Sequence, residues 1–270
     1  MRSLQAHDNL VQKPSLNAYM ATLFNTFAHL LSSFYGYLAM LLGLGCLAFL
    51  CLLGLPFAVL LLCLPVKIRI PLSRRFISWT LAIYLWFLKV FCFVRIDASA
   101  LDSLNAHRPL IVIANHPSLL DAVVLLSRLP HATCVMKASL KNNLLFGPMA
   151  RLSGYISNDD PLQLMRQACD ELSSGSHVVI FPEGTRTLNA PVDTFSHTCA
   201  FISARSGVPI QCLLIEFSTQ YLGKNWPVWR KPTLPLRINL RLGLKFTADR
   251  NRIAMTERLE SYYRENLGLK

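Results

Sequence analysis

Positions 14–66 contain no Asp, Glu, Lys or Arg, and residues 38–64 are almost wholly Leu, Ala, Gly, Phe and Cys. A membrane span needs about 20 apolar residues. A helix buried in a soluble core would be shorter and would keep a polar stripe, so this run predicts a helix seated in lipid. Residues 15–37 are milder, with Asn17, Thr22, Asn25, Thr26, His29, Ser32 and Ser33 among aromatic and aliphatic neighbours. That mixture suits an interfacial helix or a loosely packed first helix. A second apolar segment, 76–93, carries Trp79, Tyr84, Trp86 and Lys89, residue types that favour the headgroup region. A cleaved secretory leader is not expected, because the charged start is far from the apolar run, the run is too long, and no small-residue cleavage site follows.

Beyond residue 95 the pattern changes to short apolar runs alternating with amphipathic stretches. Strands are predicted over 110–114, 132–136, 178–181, 208–217 and 236–244, the last an edge strand because Arg237, Asn239 and Arg241 alternate with Leu236, Ile238, Leu240 and Leu242. Helices are predicted over 118–129, opened by Pro117, and over 137–145, 146–152, 161–173, 198–206 and 253–266. Gly207 stops the 198–206 helix, and Ser174-Gly175 ends the 161–173 helix. Strands alternating with helices imply an α/β domain. The expected organisation is a membrane-seated helical region over 1–94 followed by a mixed-sheet α/β domain over 95–270.

The net charge is +12, from 27 basic and 15 acidic residues. The basic residues lack the repeated interleaving with aromatics that marks a single-strand binder, so no nucleic-acid partner is expected. An anionic bilayer surface accounts for the charge, at about 1 kcal/mol per Lys or Arg. Lys67, Arg69, Arg74 and Arg75 directly follow the apolar run and place that side in the cytoplasm by the positive-inside rule. Two crossings would then export the polar region. One apolar segment is therefore expected not to cross: either 76–93 lies in the interface, or the first run folds back near Gly54-Leu55-Pro56. Eight Cys show neither a C-x-x-C pair nor a zinc-like set with His, and neither disulfide nor metal is expected.

Two segments follow the ends of predicted strands: Asn115-His116-Pro117-Ser118-Leu119-Leu120-Asp121 and Phe181-Pro182-Glu183-Gly184-Thr185-Arg186. A His with an acid five residues on is common by chance in a chain with 7 His and 15 acids. The hexapeptide is far more specific, and the strand-to-turn context suits both. With these blocks, and with Val208-Pro209-Ile210, the chain resembles the glycerolipid acyltransferase family typified by 1-acylglycerol-3-phosphate O-acyltransferases, over roughly residues 95–245. The resemblance implies a membrane-seated, cytoplasmic acyltransferase domain, in a bacterial inner membrane, moving a fatty acyl group from acyl-CoA or an acyl-carrier protein to a lysophospholipid. No cofactor beyond that donor is implied.

An alcohol needs a base before it attacks a thioester, and His116 has the intrinsic pKa for that task. Asp121 can hold the other ring nitrogen, as in a serine triad whose nucleophile is supplied by the substrate. No G-x-S-x-G elbow surrounds Ser118, so direct transfer is preferred to an acyl-enzyme. In the family, the positions of Glu183, Gly184, Thr185 and Arg186 are associated with the acceptor. Arg186 suits two parallel bonds to phosphate. Gly184 suits close backbone approach, with turn amides there for an oxyanion, and Glu183 suits orienting a hydroxyl or holding Arg186. Lys137 resembles the family's lysine after a strand, and the resemblance implies a phosphate contact there, with a solvated surface Lys as the alternative reading.

The chain departs from the family at Gly154–Pro161, where Asp159 and Asp160 stand in place of an Asp-Arg ending, and at Ser196-His197-Thr198. Losing a guanidinium removes about 1.5–3 kcal/mol from a phosphate site. The expected acceptor is 1-acylglycerol-3-phosphate, with another hydroxylated lipid of a specialised bacterial pathway as the alternative. A lipid hydrolase is the remaining enzymatic reading, and a non-catalytic membrane scaffold the remaining non-enzymatic one.

Overall fold

A computed structural model describes residues 16–106, 109–227 and 229–268. The charged end of the apolar run at Lys13 and the first fifteen residues of the expected 1–94 region lie outside the described residues. Two helices lead. Helix α1, Leu16–Leu62, runs unbroken through Gly54-Leu55-Pro56, so the predicted fold-back does not occur. Phe57 stacks on Phe76 at 4.0 Å, and Ala58 and Leu61 pack with Met149 and Leu152. These contacts hold the turns after Pro56 in place despite the proline's missing donor. Forty-seven residues at 1.5 Å each make α1 about 70 Å long, more than twice a hydrocarbon core of about 30 Å. Among the described residues it is the one helix long and apolar enough to cross a membrane, by length and composition alone.

Helix α2, Val66–Phe91, begins ten residues before the predicted segment and takes in Lys67, Arg69, Arg74 and Arg75. The two helices approach closely at Gly43, where an added Cβ would lie 3.1 Å from Leu88 Cδ2. Tyr35 also donates to Phe91 O at 2.6 Å. α2 turns one face to the α/β region, burying Ser73, Arg74, Ser78, Tyr84 and Leu88. Arg74 is 5% exposed and grips Glu171 with two nitrogens, at 2.9 and 2.7 Å, while its Nε donates to Ser153 O. Its charge is therefore spent inside the protein and adds nothing to a positive-inside argument.

The remaining elements are β1 (Val94–Asp97), a 3₁₀ helix (Ser99–Ala106), β2 (Ile111–Ala114), α3 (Leu120–Arg128), β3 (Ala132–Met136), α4 (Ala138–Lys141), α5 (Gly147–Leu152) and β4 (Ile156–Ser157). Then come α6 (Pro161–Ser173), β5 (His177–Ile180), α7 (Thr198–Ser206), β6 (Ile210–Phe217), β7 (Leu236–Phe246) and α8 (Arg252–Leu267). The predicted helix from 118 starts two residues later, leaving Pro117 outside it. α6 and α7 match their predicted ranges. Asp160 caps α6 by accepting from Leu162 and Gln163, and Gly207 takes φ +72 as the left-handed stop of α7.

The seven strands form one mixed sheet in the order β1-β7-β6-β2-β5-β3-β4, with only the β6–β7 pair antiparallel. The predicted edge position of β7 is corrected: β1 pairs with it outside and β6 inside. β1 is four residues long and directly follows α2, so it carries no pattern of its own. β7's alternation has another cause, since Leu236, Ile238 and Leu240 are buried while Arg237 and Arg241 point to solvent.

Alternate residues of the central strands feed two cores. Val112, Ala114 and Leu213 pack with α2, α3 and the 3₁₀ helix, whereas Ile111, Ile113 and Leu214 pack with α6, α7 and α8. Because β2, β5, β3 and β4 are parallel, their C-terminal ends share one edge of the sheet.

Candidate functional site

Both motifs leave that shared edge, from the neighbouring strands β2 and β5. Asn115, the first residue past β2, is buried and exchanges two 2.8 Å bonds with the main chain of Ile215. It fixes where the following His emerges. His116 Nδ1 lies 2.9 Å from Asp121 Oδ2, and Ser118 N–H donates to the same oxygen at 2.8 Å. Facing a carboxylate, Nδ1 carries the proton, so the lone pair is left on Nε2. The imidazole stacks on Phe181 with centroids 3.9 Å apart and is 16% exposed. The ring is thus held in one orientation while part of it stays open to solvent.

Asp121 is wholly buried, and its Oδ1 has no hydrogen-bond partner among the described residues. Burial pushes its carboxyl up to about 6, while the bonds from His116 and Ser118 pull the other way. Ser118 is fully buried and its Oγ accepts from Leu120 N–H, so it serves the start of α3 and presents no nucleophile.

The structure revises the predicted part played by Glu183. Oε1 accepts from His116 N–H at 3.0 Å and from Thr187 Oγ1 at 2.9 Å, and Oε2 accepts from Asp193 N–H at 2.9 Å. It makes no bond to Arg186, one of the two parts expected of it. It brackets the two motifs together, with Thr187 N–H donating to His116 O at 2.8 Å as a second tie. Burial raises its carboxyl above the usual range despite three donors.

Arg186 gives one nitrogen, Nη1, to the carbonyls of Leu222 (2.9 Å) and Gly223 (2.8 Å), which leaves Nε and Nη2 for a ligand. Its guanidinium lies within electrostatic reach of Asp121, and partial burial lowers its pKa.

Gly184 takes φ +67 with open space where a Cβ would stand, so its need is conformational rather than close approach. Its N–H is already bonded to Phe181 O at 3.0 Å, which removes that amide from the expected oxyanion donors. Thr185 is half-buried in the same turn without a side-chain bond. Lys137 is exposed at the end of β3, one strand beyond β5, and makes no bond to either motif.

The departing block also has a different setting. Asp160 is consumed in capping α6. Gly154, at φ +66, lies beneath Ile70 and Arg74 of α2. His197 bonds Thr256 of α8 at 2.9 Å. Sequence reasoning missed Phe181, Asn115 and the Leu222–Gly223 carbonyls as positioning elements. The first two stand inside the quoted blocks, whereas a backbone carbonyl leaves no mark in a sequence.

Against this geometry, residues 95–216 match the family model described as Acyltransferase. It is this stretch of the chain that is similar to the acyltransferase family. A lyso-ornithine lipid O-acyltransferase of Pseudomonas aeruginosa is 28% identical over 54% of this chain and 55% of its own length. A second protein of that name, from Rhizobium meliloti, is 36% identical over 39% and 37%. A chloroplastic 1-acyl-sn-glycerol-3-phosphate acyltransferase of Brassica napus is 25% identical over 46% and 38%. The chain spans between about a third and a little over half the length of these curated relatives. The crystal structure of the 1-acyl-sn-glycerophosphate acyltransferase PlsC from Thermotoga maritima superposes with TM-score 0.60 at 18% identity, covering 89% of this chain and 95% of that one. The α/β region and its leading helices thus share that fold.

Proposed function

We propose that this protein is a membrane-associated O-acyltransferase in which His116 deprotonates the hydroxyl of a lysolipid acceptor. The observation that carries the reading is the buried Asp121 bonded to His116 Nδ1, with Nε2 free and Arg186 beside it. Nε2 takes the hydroxyl proton as the acceptor oxygen attacks the thioester carbonyl of an acyl-CoA or acyl-carrier-protein donor. Collapse of the tetrahedral intermediate breaks the carbon–sulfur bond, and the thiolate leaves with the proton held by the imidazolium. The burial of Ser118 supports direct transfer without an acyl-enzyme. Arg186, with Nε and Nη2 unspent, suits two parallel bonds to an anionic headgroup.

1-Acylglycerol-3-phosphate is the first candidate acceptor, in keeping with the relatives that bear that name. A second reading is favoured by the loss of a guanidinium at Asp159-Asp160 and by the two lyso-ornithine lipid acyltransferase relatives. It is an acceptor whose headgroup is not a phosphomonoester.

Purified protein assayed on lysophosphatidic acid, lysophosphatidylglycerol and lyso-ornithine lipid side by side separates the two. On the true acceptor, Arg186→Ala raises acceptor KM by about 10–100-fold, the worth of charge-assisted bonds, and leaves donor KM near its starting value. Arg186→Lys restores part of the loss. Equal KM for wild type and Arg186→Ala on all three lipids would make Arg186 a brace for Leu222 and Gly223 only.

Orientation follows from Lys67, Arg69 and Arg75, the basic residues of α2 outside the Arg74 pair. With these on the cytoplasmic side of a bacterial inner membrane, protease added outside intact cells spares residues 95–270. Digestion there from outside would reverse the assignment.

A further inference from the structure

The segment between β6 and β7 supplies no residue to either motif, yet it touches both. Leu222 O accepts from Arg186 Nη1 and, at 3.1 Å, from Leu119 N–H, while Gly223 O accepts Arg186 Nη1 as well. An added Cβ on Gly223 would come within 3.3 Å of Pro117 O, so the segment lies directly against the His116 loop. Leu222 and Asn225 take φ +51 and +61, left-handed values that turn the chain sharply back on itself.

The other end of the segment is fastened to the apolar helix. Lys231 Nζ bonds Ser33 Oγ and sits 5.5 Å from the centre of the Tyr37 ring. Its stem passes so close over Gly36 that a Cβ there would meet Lys231 Cδ at 2.9 Å. Between these attachments Arg230 covers the Trp226 ring at 4.5 Å, and Trp226 Nε1 donates to Arg230 O at 3.0 Å. Trp229 next to them is 73% exposed, and on α1 the side chains of Phe27 (66%) and Phe34 (68%) are exposed as well. Nothing in the fold requires an indole to face water. An exposed Trp beside Arg230 and continuous with an apolar helix is the composition of a headgroup-level contact, where the ring sits at the interface and the guanidinium meets lipid phosphate.

We propose that the turn bearing Trp226, Trp229, Arg230 and Lys231 docks on the surface of an anionic bilayer. Through the Leu222 and Gly223 carbonyls, that docking positions Arg186 for an acceptor still held in the lipid. The first half stands on its own; the second rests on the acyltransferase reading. Charge complementarity and continuity with α1 select the bilayer over a protein partner.

Full-length protein in vesicles of phosphatidylcholine and phosphatidylglycerol, brominated at shallow or deep acyl positions, reads the first half. Subtracting the emission of Trp229→Phe from that of wild type isolates Trp229 from Trp79, Trp86 and Trp226. The expected difference signal is blue-shifted, strongly quenched by shallow bromines and weakly by deep ones. A difference signal with the emission of a water-exposed indole and no quenching overturns the proposal. So does one that ignores bromine and shifts with protein concentration, since a second copy would then cover the turn.

The second half is read from KM. Trp229→Ala raises KM for vesicle-borne lysolipid by about tenfold, the loss of one interfacial contact, and leaves kcat and the KM for a short-chain, water-soluble lysolipid unchanged. Equal changes with both substrates would show a merely structural role. Absence of transfer by wild type would instead defeat the acyltransferase reading, while the quenching result would still decide the docking.

Discussion

Replacing His116 by alanine lowers acyl transfer by about 10²–10⁴-fold or more, the usual share of a positioned general base, and leaves folding and membrane attachment intact. Asp121→Asn reaches a similar loss, about 10³–10⁴-fold, by a different route. An amide in place of the carboxylate presents an N–H to Nδ1, which reverses the tautomer and puts the proton on the nitrogen that must be the base.

The wild-type pH profile carries the same signature. Asp121 orients and charges the pair only when ionised. Turnover therefore falls as pH drops through about 6 and follows the ionised fraction at about tenfold per pH unit below it. The sign for stability is opposite. A carboxyl raised from 3.8 to about 6 by burial binds more protons in the folded state, so its contribution to stability declines as pH rises between those values. Near-normal turnover by purified His116→Ala would eliminate the proposed base.

Arg74→Ala is expected to destabilise the protein by about 3–5 kcal/mol, because it leaves Glu171, mostly buried, facing an empty position. In a chain of this size that lowers the thermal midpoint by roughly 6–20 °C. Replacing both partners with methionine recovers most of the loss, since an apolar pair avoids the cost of an unpaired charge. Calorimetry of the detergent-solubilised full chain checks both variants. An unchanged midpoint for Arg74→Ala would mean that α2 does not depend on the α/β region, contrary to the buried face bearing Ser78, Tyr84 and Leu88.

The same residue shows where reading the chain stopped short. Four basic residues after an apolar run all count toward a cytoplasmic side, because the positive-inside rule sees charge and cannot see partners. The structure continues the helix through all four and buries one of them against Glu171, 97 positions away. That Glu183 does not pair with Arg186 has a related reason. An acid three residues before an arginine invites a pairing, yet the turn at Gly184 sends the two side chains apart, and each finds main-chain partners that no residue type announces.

What the sequence by itself determined is whatever depends on local periodicity and residue chemistry. That includes the apolar helix, the α/β alternation, the exact span of α6 and α7, the left-handed stop at Gly207, and the His116–Asp121 pairing, which a five-residue spacing closes at 2.9 Å. Only the tertiary structure decided the matters that depend on long-range neighbours. It placed β7 inside the sheet beside a four-residue β1, carried α1 past Pro56 through packing on α2 and α5, and set Leu222 and Gly223 against Arg186. The physical reason is that a main-chain carbonyl or a packing surface is the same whichever residue carries it, so its role is fixed by position in space and leaves little trace in the order of side chains.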